Sequence, residues 1–390
     1  MRAASVAVIH PGLGYGGSEA PVMWTLAALK GDYDLTLIST GELDLARLNA
    51  YYGTALDAQD FTYQRARLPL RLRNTVKFAA LTGSFFQRFV RRMAPQFDVL
   101  INCYGPLDCG RRGIQMIADF SFVEEWRFSL NPSLRSWKRW WYGSSPLRRL
   151  YLALCARVYP FNPASWKQNV TLANSAWTAG RLQEKYGLES QVLYPPVESD
   201  FPLVPFEERD NGFVCLGRVV PEKRVDVMIE ILSRVRQKGH DVHLRILGGL
   251  DDSPYGKQVK RLADQNRAWI TLEGWAIGER KKHLLATHRY GIHGRENEPF
   301  GIAVGEMVSA GCIVFVPSGG GQVEIVDHPA LIFNGENDAV EKIEAVLTSN
   351  AAQEELRHHL RQNAHKFSPE SFQIKIRQVV KDFLAGHREP

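Results

Sequence analysis

The sequence predicts an α/β protein with two doubly wound domains, and three observations lead to this prediction. The chain has 390 residues, which is more than one ordinary hydrophobic core organises. Short β-branched runs alternate with helical patterns in both halves, and this alternation is typical of parallel sheets covered by helices. Proline-rich stretches at 195–197 and 202–210 separate the halves. We therefore place the N-terminal domain at 1–198 and the C-terminal domain at 199–368.

The composition is that of an ordinary globular protein, with 45% hydrophobic and 23% charged residues. No apolar run approaches the roughly 18 residues of a membrane-spanning helix, and the apolar start of the chain is too short for a signal peptide. The cysteines are scattered without a CxxC pair, and the histidines show no metal-ligand set. These features predict a reduced, cytoplasmic protein without disulfides or a structural zinc.

The first domain opens with a strand at 5–9, a glycine-rich loop at 10–19 and a helix that ends at Leu29. Gly12-x-Gly14-x-x-Gly17 matches the dinucleotide-binding fingerprint in form. A dinucleotide site also needs an acidic residue at the end of the second strand, which here ends in Ser39-Thr40. The missing carboxylate counts against NAD. Further strands are predicted at the ranges 97–101, 113–117, 170–173 and 191–197, with a helix from the caps Asn174-Ser175 to Gly187.

Positive charge is concentrated in the N-terminal half, although the net charge is only +6. The stretches 61–97 and 126–183 contain no Asp or Glu but many Arg and Lys residues. Residues 74–93 alternate apolar and basic positions at helical spacing, and 126–166 contains five of the nine tryptophans. This segment fits contact with an anionic membrane surface, or internal packing, better than it fits stacking on nucleic acid.

The second domain continues the alternation of strands and helices up to the most informative stretch, 291–324. A helix is predicted from near Pro299 to Gly311, with Glu298 in the preceding loop and Glu306 about two turns inside. The start of a helix attracts an anion such as a diphosphate. Carboxylates beside that anion would repel it, so neutral hydroxyls, as on a sugar or a ribose, are their expected partners.

These residues resemble the signature of retaining glycosyltransferases of family 4. The resemblance rests on Glu298-x7-Glu306 with Phe300-Gly301, on Gly320-Gly321-x-x-Glu324, and on Gly217-Arg218-x4-Lys223. It implies the GT-B fold, in which two Rossmann-like domains face a central cleft. It also implies that the C-terminal helix, about 369–390, crosses back onto the first domain.

The resemblance implies roles for residues of the second domain. Arg218 and Lys223 would neutralise the diphosphate of a nucleotide-sugar as it leaves, so that no metal ion and no bound cofactor are expected. Glu298 would hold hydroxyls of the donor sugar, and Glu306 those of the ribose. The remaining donor-binding positions are Phe300, Gly301, Ile302, Gly217 and Gly274, the last of them near the nucleobase.

In the first domain, the loop with Gly14, Gly16 and Gly17 would face the acceptor or a phosphate. The family usually carries a histidine near the reacting carbon, and this sequence has Asp119 at the corresponding place. A carboxylate cannot donate a hydrogen bond as a neutral imidazole does. Either Asp119 fills the role differently, or one of three other residues serves, namely Asn102, Asp108 or His10.

The resemblance predicts a retaining α-glycosyltransferase that moves a hexose from a UDP- or GDP-sugar to a hydroxyl acceptor. The stretch 293–302 is similar to that of members that build lipid-linked oligosaccharides, so a glycan or lipid-linked acceptor is expected, with peripheral contact on the inner face of the membrane. Two alternatives stay open: a nucleotide-sugar epimerase, and a non-catalytic nucleotide-sugar-binding protein.

Overall fold

The computed structural model describes residues 3–69, 78–120 and 145–386. The chain divides into two compact units, of which the first comprises Met1–Pro196 with Phe372–Pro390 and the second Val197–Ser371. Each unit is built on one parallel β-sheet with helices. In the described part of the chain, no helix is both long and apolar enough to cross a membrane.

The first unit has a seven-stranded sheet in the order β3-β2-β1-β4-β5-β6-β7. Its strands are β1 (Ser5–Ile9), β2 (Asp34–Ser39), β3 (Thr62–Arg65), β4 (Val99–Asn102), β5 (Ile114–Ile117), β6 (Val170–Ala173) and β7 (Gln191–Val192). Its helices are α1 (Ala20–Leu29), α2 (Leu45–Tyr52), α3 (Ala79–Met93), α4 (Pro146–Val158), α5 (Pro163–Trp166) and α6 (Ala176–Tyr186). The strand order reverses between β1 and β4, as in a doubly wound fold.

The second unit has a six-stranded sheet in the order β10-β9-β8-β11-β12-β13. Its strands are β8 (Asp210–Leu216), β9 (His243–Leu247), β10 (Ile270–Gly274), β11 (His288–Ile292), β12 (Ile313–Pro317) and β13 (Ile332–Phe333). Its helices are α7 (Val225–Gln237), α8 (Pro254–Gln265), α9 (Gly278–Ala286), α10 (Ile302–Ser309), α11 (Gln322–Val326), α12 (Gly335–Leu347) and α13 (Asn350–Ala364). Here the order reverses between β8 and β11, and ligands of such sheets bind at this point, beyond the carboxyl ends of the strands.

The last helix, α14 (Pro369–Ala385), begins in the second unit and ends in the first. Four apolar side chains repeat along one face of it at helical spacing, namely Phe372, Ile376, Val380 and Phe383. All four are buried in the same core cluster as Leu26 and Leu29 of α1. Burial of this face fixes the end of the chain in the first unit.

Local capping explains where several elements begin and end. Ser175 accepts a hydrogen bond from the Thr178 N–H at the start of α6, and Gly187 ends that helix in a left-handed conformation. The strand predicted over 191–197 is only two residues long, and Pro195 and Pro196, which have no N–H to donate to a neighbouring strand, prevent it from reaching residue 197.

Helix α10 begins later than the sequence predicts. The helix predicted from Pro299 begins at Ile302, because Gly301 has a φ of 102° and cannot be part of a right-handed helix. Glu306 is therefore only the fifth residue of α10, about one turn inside rather than two.

Parts of the basic and aromatic segments lie outside the described residues. These parts are residues 74–77 and Trp126, Trp137, Trp140 and Trp141.

Candidate active site

Glu298 is the centre of a buried charge cluster beyond the carboxyl ends of β8 and β11. Its side chain is 11% exposed, and the Lys223 Nζ lies 2.6 Å from its Oε2. The Arg295 guanidinium lies 3.2 Å from its Oε1. The His293 Nε2 lies 3.5 Å from its Oε2. Two fixed cations and one imidazole thus surround one carboxylate.

The charges around Glu298 decide its protonation state. Burial raises the pKa of the Glu298 carboxyl, but Lys223 and Arg295 outweigh burial and hold that pKa well below its ordinary value. Burial lowers the pKa of His293, although Glu298 opposes this shift. Near neutral pH, Glu298 is therefore an anion and His293 is neutral. The cluster carries a net positive charge.

Close backbone contacts hold the loop that carries Glu298. The Gly321 N–H donates to the Glu298 carbonyl oxygen at 2.7 Å. A Cβ atom on Gly320 would lie 2.5 Å from the same oxygen, so this position has room only for glycine. The side-chain amide of Gln322 donates to the Arg295 carbonyl oxygen at 2.8 Å. The glycine-rich turn after β12 therefore positions Glu298 and Arg295 together.

The start of α10 lies directly after this loop. Gly301 caps the helix, and its carbonyl oxygen accepts the N–H of Val304 at 2.9 Å and of Gly305 at 3.0 Å. The side chain of Phe300 is 2% exposed and its ring lies 5.6 Å from the ring of Phe367. Because the Phe300 ring is packed inside, this residue can offer a ligand only its backbone.

Glu306 has a different partner from Glu298. Its Oε1 lies 2.8 Å from the Nζ of Lys281, a residue that is only 8% exposed. Lys281 also acts on Glu198, whose pKa is raised by burial against the pull of Lys281 and Lys282. Sequence reasoning missed both Lys281 and Arg295. Only the position of Arg295, three residues before Glu298, could have indicated an interaction.

The remaining predicted donor positions lie at the same edge of the sheet. Arg218 is exposed and follows Gly217, which has a φ of 134° directly after β8. Gly274 ends β10 with a φ of 66°, and the indole of the next residue, Trp275, is 63% exposed. A Cβ atom on Gly248, after β9, would lie 1.9 Å from the Gly217 carbonyl oxygen, so these strand ends are tightly packed.

In the first unit, the glycine-rich loop wraps around a carboxylate of its own. The Gly14 N–H donates to the Glu19 carboxylate at 3.2 Å. A Cβ atom on Gly16 would lie 2.9 Å from that carboxylate. The Tyr52 hydroxyl donates to the carbonyl oxygens of Gly14 at 3.0 Å and Gly16 at 2.8 Å. The contacts with Glu19 and Tyr52 explain why glycine occurs at positions 14 and 16, and this explanation requires no bound dinucleotide. Gly17 follows in the same loop.

Asp119 is half-buried and comes two residues after β5. Of its three alternatives, Asn102 is engaged in the β4–β5 turn, where its amide donates to the Gly105 carbonyl oxygen at 2.9 Å. Asp108 is 2% exposed and accepts from the Asn162 N–H at 2.8 Å and the Ser165 hydroxyl at 2.6 Å. The side chains of Asn102 and Asp108 therefore both stabilise the local structure.

His10, the third alternative, is 3% exposed and shares a hydrogen bond between its Nδ1 and the Gly12 carbonyl oxygen. Burial lowers the pKa of His10, while Glu19 acts in the opposite direction. Its ring contacts Tyr104 edge to face at 5.3 Å between centroids. A neutral, buried imidazole directly after β1 keeps His10 as a candidate beside Asp119.

Two of the histidines lie close to a carboxylate in the fold, although the sequence shows no metal-ligand set. Asp210, His243 and His288 meet at the amino ends of three neighbouring strands. No sequence spacing signals this group, because its members lie on β8, β9 and β11.

Comparison with solved structures identifies the fold. Two parallel α/β units of this kind define the GT-B fold. The crystal structure of WaaG, a glycosyltransferase involved in lipopolysaccharide biosynthesis, matches with a TM-score of 0.67 and 16% identity, over 95% of this chain and 99% of that chain. The predicted GT-B fold is therefore confirmed.

The second unit matches a known protein family. Residues 197–367 match the family model of glycosyl transferases group 1. This match confirms, for the second unit, the resemblance predicted from the sequence, and family 4 is consistent with it.

Two human proteins illustrate the curated relatives. The chain is 25% identical to alpha-1,3/1,6-mannosyltransferase ALG2 over 428 aligned residues, which cover 97% of this chain and 96% of the relative. It is 25% identical to GDP-Man:Man(3)GlcNAc(2)-PP-Dol alpha-1,2-mannosyltransferase over 261 residues and 61% of this chain. The chain spans only 53% of the length of that second relative.

Proposed function

We propose that this protein is a retaining, metal-independent glycosyltransferase that moves a mannose from GDP-mannose to a hydroxyl of a lipid-linked glycan. The cluster of Glu298 with Lys223 and Arg295 carries the proposal, because it places an oriented anion and two cations where a doubly wound sheet binds its ligand. The names of the relatives favour GDP-mannose over the UDP-sugars that the sequence left open.

The cations of the cluster suit the departure of a nucleoside diphosphate. Lys223, Arg295 and the exposed Arg218 would stabilise the charge that develops on the diphosphate when its bond to C1 of the sugar breaks. The acceptor oxygen would bond to the same face of C1, and its proton would leave on the departing diphosphate. Charge supplied by three side chains replaces the charge that a divalent ion would otherwise supply.

Glu298 and Glu306 suit the neutral parts of the donor. Glu298 would accept hydrogen bonds from sugar hydroxyls, while the Phe300–Ile302 backbone contacts the same sugar. Glu306, oriented by Lys281 at 2.8 Å, would accept from the ribose hydroxyls. Gly274 and the exposed ring of Trp275 offer a surface on which the base can lie.

The first unit would supply the acceptor side of the reaction. The loop with Gly14, Gly16 and Gly17 holds the Glu19 carboxylate, which would repel a phosphate but accept a hydrogen bond from a glycan hydroxyl. We therefore assign the loop to the acceptor. Asp119 would orient a hydroxyl near the reacting carbon or stabilise positive charge on the sugar ring.

Helix α4 supports contact with an anionic membrane surface. Its side chains Leu147, Leu150 and Leu154 follow one another at helical spacing and are 63%, 59% and 49% exposed. Arg149 and Arg157 are exposed on the same helix. The exposed leucines suit the acyl boundary of an anionic lipid layer, and the neighbouring arginines suit its phosphate groups.

The first experiment is thermal unfolding of the purified chain with GDP, UDP, ADP and their sugars, with EDTA present. A ligand that binds only the native state raises the melting temperature by mass action. We expect the largest shift with GDP and GDP-mannose, and mannose transfer to a polyprenyl-linked oligosaccharide in the same buffer. Conversion of the nucleotide-sugar without an acceptor would favour the epimerase, and binding without any turnover the non-catalytic protein.

The membrane contact is tested by sedimentation with phosphatidylserine liposomes. Leu150→Glu should reduce binding, because it places a carboxylate at the lipid surface. Leu203→Glu is the matched control, since Leu203 is 100% exposed in the second unit and is not on the proposed surface. Equal binding of both variants would contradict the assignment of α4.

A further inference from the structure

The sheet of the second unit has a group of metal-ligating side chains at the edge opposite to the candidate active site. Asp210, His243 and His288 are the first residues of β8, β9 and β11, which are neighbours in the sheet. The candidate active site follows the last residues of the same strands. Because β8 has seven residues, the two edges lie roughly 20 Å apart.

The three side chains converge on one point. One nitrogen of each imidazole and one carboxylate oxygen all lie within 4.8 Å of one another. The two imidazole rings meet edge to face, with centroids 5.1 Å apart. A tetrahedral Zn²⁺ with bonds of about 2.0 to 2.2 Å needs its ligand atoms about 3.4 Å apart, so small side-chain rotations would close the site.

His288 is prepared to bind a metal. It is 1% exposed, and its Nδ1 lies 2.7 Å from the Leu284 carbonyl oxygen, to which it donates. This bond leaves the lone pair on Nε2, and within the described residues that buried Nε2 has no hydrogen-bond partner. A metal-binding histidine typically has such a carbonyl behind its second nitrogen.

His243 also has an unpaired ring nitrogen, and its ring packs closely against Gly212. Its Nε2 is buried and also has no hydrogen-bond partner among the described residues. A Cβ atom on Gly212 would lie 2.2 Å from this nitrogen, so only glycine leaves room for the ring. Two buried, unpaired imidazole nitrogens cost free energy unless something binds them. Asp210 is exposed and gives a path from solvent.

The surroundings of both histidines lower their pKa values. Burial, together with a smaller contribution from His243, lowers the pKa of His288 to about 4. Burial also lowers the pKa of His243, and Asp210 opposes that shift. The nearby cation Arg245 is paired with Glu273 at 2.6 Å, which limits its repulsion of a metal ion.

We propose that Asp210, His243 and His288 form a binding site for one first-row divalent metal ion, with Zn²⁺ as the best match, that joins the amino ends of three strands. Two imidazoles and one carboxylate suit Zn²⁺, with water in the fourth position, and suit Mg²⁺ or Ca²⁺ poorly, because those ions prefer oxygen ligands. This metal site is separate from the candidate active site, where the proposed transfer reaction uses no metal.

Isothermal titration of the tag-free, EDTA-treated chain with Zn²⁺ tests the proposal. We expect one Zn²⁺ per chain and a higher melting temperature with Zn²⁺ than with Mg²⁺. Asp210→Asn and His243→Gln should each weaken Zn²⁺ binding at least tenfold, while His358→Gln, at an exposed position of α13, should leave it unchanged. Co²⁺ bound to the chain should show the intense visible bands of a tetrahedral site.

Two results would overturn the proposal. One is the absence of saturable Zn²⁺ binding in the unaltered chain. The other is unchanged Zn²⁺ affinity in both Asp210→Asn and His243→Gln. Asp210 is exposed, so its variant is expected to fold even if changes at buried His288 do not. A retained thermal shift with GDP would show that each variant is folded.

Discussion

The two carboxylates of the Glu-x7-Glu pattern have different surroundings. Glu298 lies in a loop, and its carboxylate contacts both Lys223 at 2.6 Å and Arg295 at 3.2 Å. Glu306 lies on a helix and contacts Lys281 at 2.8 Å. The first carboxylate is thus surrounded by an excess of positive charge, whereas the second shares its lysine with Glu198.

This difference indicates two different tasks. Excess positive charge around Glu298 can act on a second anion, which a leaving diphosphate supplies. The charge of Lys281 does not exceed that of the carboxylates beside it, so Lys281 orients Glu306 without attracting a further anion. We therefore expect changes at Glu298 to act on the chemical step and changes at Glu306 to act on donor binding.

The largest expected effect is that of Glu298→Gln on turnover. Glutamine keeps the size of the side chain but removes the charge that orients Lys223 and Arg295. We expect kcat for mannose transfer to fall by at least ~100-fold, which is typical for loss of one preorganised electrostatic contact. Steady-state kinetics with GDP-mannose and a lipid-linked acceptor measure this.

Glu296→Gln is the matched control for that variant. Glu296 is two residues away and pairs with Arg224, but its side chain is 56% exposed. Exposed pairs contribute little, so its kcat should stay within about twofold of the unaltered enzyme. Equal losses in both variants would show that the loop as a whole, rather than the Glu298 carboxylate, matters.

Glu306→Gln should act mainly on the donor. Loss of a charged acceptor for ribose hydroxyls costs about 1.5 to 3 kcal/mol of binding free energy, which is roughly 10- to 100-fold in affinity. We expect KM for GDP-mannose to rise by that factor with little change in kcat. A fall in kcat with unchanged KM would reverse the roles of the two carboxylates.

Lys281→Met tests the ion pair of Glu306 directly. The variant leaves Glu306 without its buried counter-ion and Glu198 with Lys282 alone, so we expect the free energy of unfolding to fall by about 3 kcal/mol. Urea titration measures it. Lys260→Met is the control, because Lys260 pairs with Asp264 in an exposed position and should cost less than about 0.5 kcal/mol.

A double-mutant cycle sharpens this test. If Lys281 and Glu306 interact directly, the combined variant should lose less stability than the sum of the two single variants. Strict additivity would mean that Lys281 stabilises the unit through Glu198 or through packing alone.

The fold was predictable because it depends on local patterns. The strand at 170–173 and the caps Ser175 and Gly187 were predicted where the structure has them, since alternation and capping act over a few residues. The late start of α10 was not predicted, because proline favours a first helical turn and only the left-handed φ of Gly301 excludes it.

The partners of the site residues were less predictable. Lys281 lies 25 residues before Glu306 in the sequence, and no periodicity links them. Asp210, His243 and His288 meet only because their strands are neighbours in a sheet whose order differs from the order of the chain. Long-range contacts of this kind depend on the topology of the sheet. The patterns in a single sequence do not specify which strands become neighbours.

The smallest expected effect is the pH dependence of stability at Glu298. Because its pKa is lower in the folded chain than its ordinary 4.5, Glu298 stabilises the fold above pH 4.5, and this stabilisation disappears as the pH falls toward the folded pKa. The difference in unfolding free energy between the unaltered chain and Glu298→Gln should therefore be constant above about pH 5.5 and shrink below 4.5, by at most ~1.4 kcal/mol per pH unit. Urea titrations from pH 3.5 to pH 7 measure it, with Glu296→Gln as the control. A difference that grows on acidification would mean that Glu298 is protonated in the folded chain and is no counter-ion for Lys223.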